Sequence, residues 1–192
     1  MQNQRKNSIR WRKSLASASH SKKEKTANRN QKNKAKNQKK KALNTLEINS
    51  FLKTTESFLG TFSSDQLPNL VIKSFPSFLV VNTAPINKNF GHWIAIRIAR
   101  KSLEIFDSFG GDPKKWGSHS LDLVNFLKFY SRRKLVFVSP VLQNSFSQLC
   151  GYYAVYFILV RKYLSFSEII SPFSTDLKLN DSIICDLLLT VL

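Results

Sequence analysis

The sequence predicts an α+β fold, a small central mixed sheet flanked by helices, and three observations carry that prediction. Two β-type runs, Trp93–Ala99 and Ser102–Ser108, are joined by Arg100-Lys101 alone, which makes a hairpin. Two more β-type runs, Phe78–Ala84 and Lys134–Ser139, are separated from it by loops and a helical pattern. Leu149 to Val160 is the longest apolar stretch; it is too short for a membrane span, stops at Arg161-Lys162, and reads as a buried helix. Strands interleaved with helices around one short sheet define the class.

The elements follow in order. Thr45 caps a first helix whose apolar side is Leu46, Ile48, Phe51 and Leu52. Phe58-Leu59-Gly60-Thr61-Phe62 comes next, then a loop through Pro68. Gly110-Gly111-Asp112-Pro113 breaks the chain after the hairpin. Leu121, Val124, Leu127 and Tyr130 have helical spacing, which predicts an amphipathic helix over 118–131. Cys150–Tyr163 is the apolar helix, and a last helix lies within 176–190.

Charge divides the chain in two. Of 30 Lys+Arg, half lie in residues 1–41 with a single acid, Glu24; the remainder carries 15 basic and 11 acidic groups. The net charge of +18 therefore belongs mainly to a tail. Residues 1–42 hold one aromatic, Trp11, and too little apolar surface to offset the entropy of ordering. They read as a disordered basic arm, with 43–192 as the folded domain. The candidate phosphate-binding residues are Arg10, Arg12, Lys13, Lys22, Lys23, Lys39, Lys40 and Lys41. A nuclear import signal and a solubilising tail are the other readings. Two cysteines make no disulfide framework, and residues 1–42 lack the apolar run of a signal peptide, so a reducing intracellular setting is expected.

One constellation carries chemistry. Cys150 follows the polar loop Gln143–Gln148 and opens the apolar helix, where unpaired N–H groups favour a thiolate. The plain alternative is a small cysteine packed as a hydrophobe. His92 begins a strand after Gly91 and is the base candidate; His20 lies in the arm, and His119 in the polar stretch 117–120 reads as a solvated helix-start residue. In the hairpin register that pairs Arg97 with Glu104, Asp107 falls diagonal to His92 on one face. Asp107 also suits a turn before Ser108-Phe109-Gly110, and Glu104, on the other face, reads as a surface charge.

These residues resemble the adenovirus protease family, within the wider papain-like set that includes proteases of ubiquitin-like proteins. The segments are Phe58–Phe62, Val81-Asn82-Thr83-Ala84, Gly91-His92-Trp93, Phe106-Asp107-Ser108-Phe109-Gly110, and Gln143-Asn144-Ser145 with Cys150-Gly151. They run in family order over about 45–165. The resemblance implies a papain-like cysteine protease of adenovirus-protease type. Cys150 is then the nucleophile, His92 the base, Asp107 its orienter, and Gln143 with the Cys150 N–H the oxyanion hole. Gln148 is a rival lying too near Cys150 for the family spacing. Gly91, Trp93 and Gly151 are assigned to substrate. The implied reaction is hydrolysis after glycine through a thioester, with no cofactor needed for the chemistry.

Two departures stand out. Asp107 stands where mammalian adenovirus enzymes commonly have Glu. Those enzymes also attach an activating viral peptide through a cysteine upstream of the Gln, whereas no cysteine lies between Trp93 and Gln143; Cys185 is a remote substitute. Activation by DNA or by a viral peptide stays open. The expected protein is thus a monomeric maturation endopeptidase of a virus or virus-like element, cutting capsid or core precursors in the host nucleus and virion. It holds DNA non-specifically through the arm and has no membrane span. An isopeptidase for a ubiquitin-like modifier, and a basic packaging protein with an inactive protease-like domain, are the rival readings.

Overall fold

In a computed structural model the described residues are 41–88, 91–111, 120–132 and 134–191. The order is α1 Thr45–Leu52, β1 Phe58–Ser63, a 3-10 helix Ser64–Asn69, β2 Ser77–Asn82, β3 Trp93–Ile98, β4 Ser102–Phe106, α2 Leu121–Ser131, β5 Leu135–Val138, α3 Cys150–Arg161, α4 Phe166–Ile170 and α5 Leu177–Val191. The strands form one five-stranded mixed sheet in the order β1-β2-β3-β4-β5. Its centre is antiparallel; β1 joins β2, and β5 joins β4, in parallel.

Alternation along the strands gives the sheet two apolar faces. Leu79, Val81, Ile94, Ile96, Ile98, Leu103 and Ile105 meet α2 and the 3-10 helix. Phe78, Val80, Ala95 and Phe106 meet α3, behind which lie α1, α4 and α5. Both faces being covered explains why Phe78–Val81 is a continuous apolar run. Helix α3 has almost no polar side because other elements surround it; Tyr153 to Ile158 are all buried.

The hairpin register is the expected one, with Arg97 opposite Glu104. Several local details differ. Asn44, not Thr45, caps α1, because its side chain accepts the Glu47 N–H while Glu47 returns a bond to the Asn44 N–H. Helix α2 starts at Leu121 under a Ser120 cap, and residues 112–119, with the start expected at 118, lie outside the described residues. β4 stops at Phe106, since Asp107 turns its backbone to the Ser139 hydroxyl. The 3-10 helix and α4 were not anticipated, although Ser63…Gln66 and Ser165…Glu168 are both capping boxes.

Glu104 corrects a larger expectation. It is not a surface charge but is 2% exposed, because α3 covers that face of the sheet. Its carboxylate accepts from Arg97 Nη1 at 2.7 Å, and from Arg161 Nε at 2.6 Å and Nη2 at 2.8 Å. The pairing ties the C-terminal end of α3 to β4. Removing one member of such a buried cluster strands the rest. Glu104→Ala should therefore cost about 3–5 kcal/mol in urea unfolding. A loss below about 1 kcal/mol, the range of exposed pairs, would show that solvent screens the cluster.

Candidate active site

The site forms where the ends of β2, β3 and β4 meet the start of α3. His92 precedes β3, and its main chain is fixed from both sides: its N–H donates to Thr83 Oγ1 and its carbonyl accepts the Thr83 N–H. Gly91 lies against Asn82, and a Cβ there would come 1.8 Å from Asn82 Oδ1, so no larger residue fits without moving Asn82. Asn82 is itself held by the Ala84 N–H.

The His92 Nε2–H donates to Asp107 Oδ1 at 2.6 Å. The same oxygen accepts the Phe109 N–H, and Oδ2 accepts the Gly111 N–H. The Asp107 carboxylate thus makes the turn and at the same time accepts from the His92 ring. The Phe109 ring stacks on the imidazole with centroids 4.4 Å apart. Nδ1 remains, buried and without a hydrogen-bond partner, on the ring edge left for Cys150. Catalytic contacts of this kind are often loose in the unliganded state.

Cys150 is 9% exposed at the first position of α3. As first-turn residues, Cys150 and Gly151 have no intrahelical acceptor for their N–H groups. Burial by itself lowers the imidazole pKa, but contacts with Asp107 and Cys150 and their charges outweigh it, and push the value up to about 9.

Gln143 is 1% exposed, and its amide is oriented by its neighbours. Oε1 accepts the Ser108 hydroxyl at 2.6 Å, and Nε2 donates to the Ser147 carbonyl at 2.9 Å. An amide nitrogen carries two hydrogens, so one donor remains. Gln148 makes no comparable set of bonds among the described residues.

Sequence reasoning brought together His92, Asp107, Cys150 and Gln143, and missed what holds them. Ser108 follows Asp107 directly, yet its double role toward Gln143 depends on a segment 35 residues away. Ser139, bonded to both the N–H and the carbonyl of Asp107, carried no signal in the sequence. The Trp93 Nε1–H donates to the Leu43 carbonyl at 2.9 Å. A Cβ on Gly151 would meet Leu43 Cβ at 2.9 Å, so the close approach that Gly151 permits is by the chain's own Leu43. The Tyr152 hydroxyl reaches the Lys41 carbonyl at 3.4 Å. Arg10, Arg12, Lys13, Lys22, Lys23, Lys39, Lys40, His119 and Phe90 lie outside the described residues. No helix among the described residues is long and apolar enough to cross a membrane.

No family model matches the chain, and no curated protein matches it by sequence. Among solved structures, the crystal structure of the ASFV pS273R protease is similar at 17% identity with a TM-score of 0.48, covering 74% of this chain and 66% of that one. The chain therefore spans just under two thirds of that protease's length.

The charged ring has a measurable consequence. Its folded pKa of about 9 exceeds the ordinary 6.5, so its contribution to stability is fully present below pH 6.5 and is lost as pH rises through about 9. NMR titration of labelled histidine should give His92 a midpoint well above 6.5, moving down in Asp107→Asn. A wild-type midpoint at or below 6.5 would mean that burial prevails.

Proposed function

We propose that the chain is a cysteine endopeptidase with a Cys150–His92–Asp107 triad. The observation that carries this reading is the imidazole fixed through Nε2 to Asp107, with its bare, buried Nδ1 edge left for a thiol at a helix start. In the proposed cycle the Cys150 thiolate attacks the carbonyl carbon of an extended substrate. The developing oxyanion takes the free Gln143 N–H and the Cys150 N–H. His92 gives its proton to the departing amine, leaving a thioester on Cys150. It then takes a proton from water, which attacks the thioester and releases the carboxylate product. Asp107 and the stacked Phe109 keep the ring in place throughout.

We place the cut after glycine, and the substrates among capsid or core precursors of a virus or virus-like element, on the residues that resemble the adenovirus proteases. Host nucleus and virion are the matching settings, and the chemistry calls for no metal or organic cofactor. Trp93, Gly91 and Gly151 are next in sequence to His92 and Cys150, and their assignment to substrate rests on the same resemblance. Conjugates of ubiquitin-like modifiers assayed beside glycine-containing capsid peptides separate an isopeptidase from an endopeptidase. A thiol-directed activity probe separates both from an inactive packaging protein.

Cys150→Ala should abolish peptide hydrolysis with the fold intact by circular dichroism, and Cys185→Ala should leave the rate within about twofold. Asp107→Asn should cost less than the roughly four orders of magnitude seen for serine triads, since a thiolate–imidazolium pair can form without a perfect third member. Turnover by Cys150→Ala would remove the assignment.

We further propose that the basic arm, residues 1–41, holds polyanions without reading sequence. Its 15 positive and one negative charge should make DNA binding steeply salt-dependent. If roughly six phosphates are engaged, affinity should fall about a thousandfold between about 50 and 200 mM salt. A truncated chain lacking the arm should lose most of that dependence while cleaving short peptides at nearly the full rate. Equal DNA affinity of the two chains would assign the arm to import instead.

A further inference from the structure

Helix α5 lies outside the triad, yet two adjacent polar residues on it reach the loop that carries Gln143. Asn180 is fully buried. Its Nδ2 donates to the Leu142 carbonyl at 3.0 Å and to the Ser174 carbonyl at 2.8 Å, and its Oδ1 accepts the Ser174 N–H. Asp181 takes the next position. Its Oδ1 accepts from the Tyr153 hydroxyl at 3.1 Å, a proton shared with the Leu142 carbonyl at 3.2 Å.

These contacts converge on the Leu142 carbonyl, which belongs to the peptide group that enters Gln143; Asn180 reaches it directly and Asp181 through the Tyr153 hydroxyl. The N–H of that same peptide donates to the Ser108 carbonyl. Holding this peptide plane at both its oxygen and its nitrogen limits the direction in which the Gln143 side chain leaves. Tyr153 adds a link to the nucleophile, because it stands three residues after Cys150 on the same helix.

We infer that Asp181, with Asn180, is a positioning residue that holds the Gln143 loop in register with Cys150, making α5 a functional support of the oxyanion hole. This rests on the proposed endopeptidase reading. The alternative use of Asp181, as a cap, does not fit: it sits within α5, and its hydrogen bond runs to Tyr153 on another helix. Burial disfavours its charge and raises its pKa, while the hydrogen bond from Tyr153 acts in the opposite sense.

The role predicts a separation of effects. Alkylation of Cys150 by iodoacetamide needs the thiolate but no oxyanion hole. Peptide hydrolysis, and the binding of a peptide aldehyde as a hemithioacetal, need both. Asp181→Ala should lower kcat by about tenfold to a hundredfold, the scale of a displaced catalytic donor. KM should change by less than about threefold, aldehyde affinity should fall in parallel with kcat, and alkylation should stay within about twofold of wild type. Asp181→Asn keeps an acceptor for the Tyr153 hydroxyl and should recover most of kcat. Should Asp181→Ala lose its fold by circular dichroism, Tyr153→Phe and Asp181→Asn carry the same comparison. Unchanged kcat, or alkylation falling together with kcat, overturns the role of Asp181 while leaving the triad standing. A wild-type protein that neither hydrolyses peptides nor binds the aldehyde overturns both readings at once.

Discussion

The complete enclosure of helix α3 is the constraint from which the site follows. A helix with a solvent face can roll or slide a little without exposing its core. This one packs on β2, β3 and β4 on one side and on α1, α4 and α5 on the other, and any displacement would open apolar surface somewhere. Interiors at crystal-like density resist such shifts. The first residue of α3 is therefore held as firmly as its middle, and that residue is Cys150. At the far end Arg161 grips Glu104 on β4, three positions before Asp107 on the same stretch of chain. Cys150 and Asp107 are thus located by one helix and one strand fastened to each other.

Polar groups buried in this frame come as connected sets. Asp107 accepts from His92, Phe109 and Gly111. Glu104 accepts three bonds from two arginines. Asn180 uses both ends of its amide. The exceptions among the described residues are His92 Nδ1, Arg97 Nε, Ser147 Oγ and Tyr156 Oη, and of these only His92 Nδ1 belongs to the proposed triad; leaving it bare costs stability.

Much of this was legible in the sequence, and what was hidden has a common cause. The hairpin could be read because its register depends on residues within a dozen positions, and the Arg97–Glu104 pairing reported it. Cys150 could be read because a polar loop running into an apolar helix is a local pattern. Glu104 was misread because alternation tells which face a residue is on, not whether another element covers that face. Ser139 and Asp181 were missed because small polar residues look alike until the chain brings them to a particular carbonyl or N–H. Leu43 was taken only as the edge of the fold. Its contact with Trp93 spans 50 residues, and no periodicity reports such a distance.

Ser108 joins the two halves of the site. Its carbonyl accepts the N–H groups of both Leu142 and Gln143, and its hydroxyl donates to the Gln143 amide. It is also the residue next to Asp107, so the turn that orients the histidine and the loop that presents the amide share a single peptide neighbourhood. Mechanically this is a weld rather than a hinge. The two loops cannot part without breaking three bonds around one buried serine. Loss of order at this end of the sheet should then be all-or-none: no partly loosened form should keep an oriented imidazole beside a disordered amide donor.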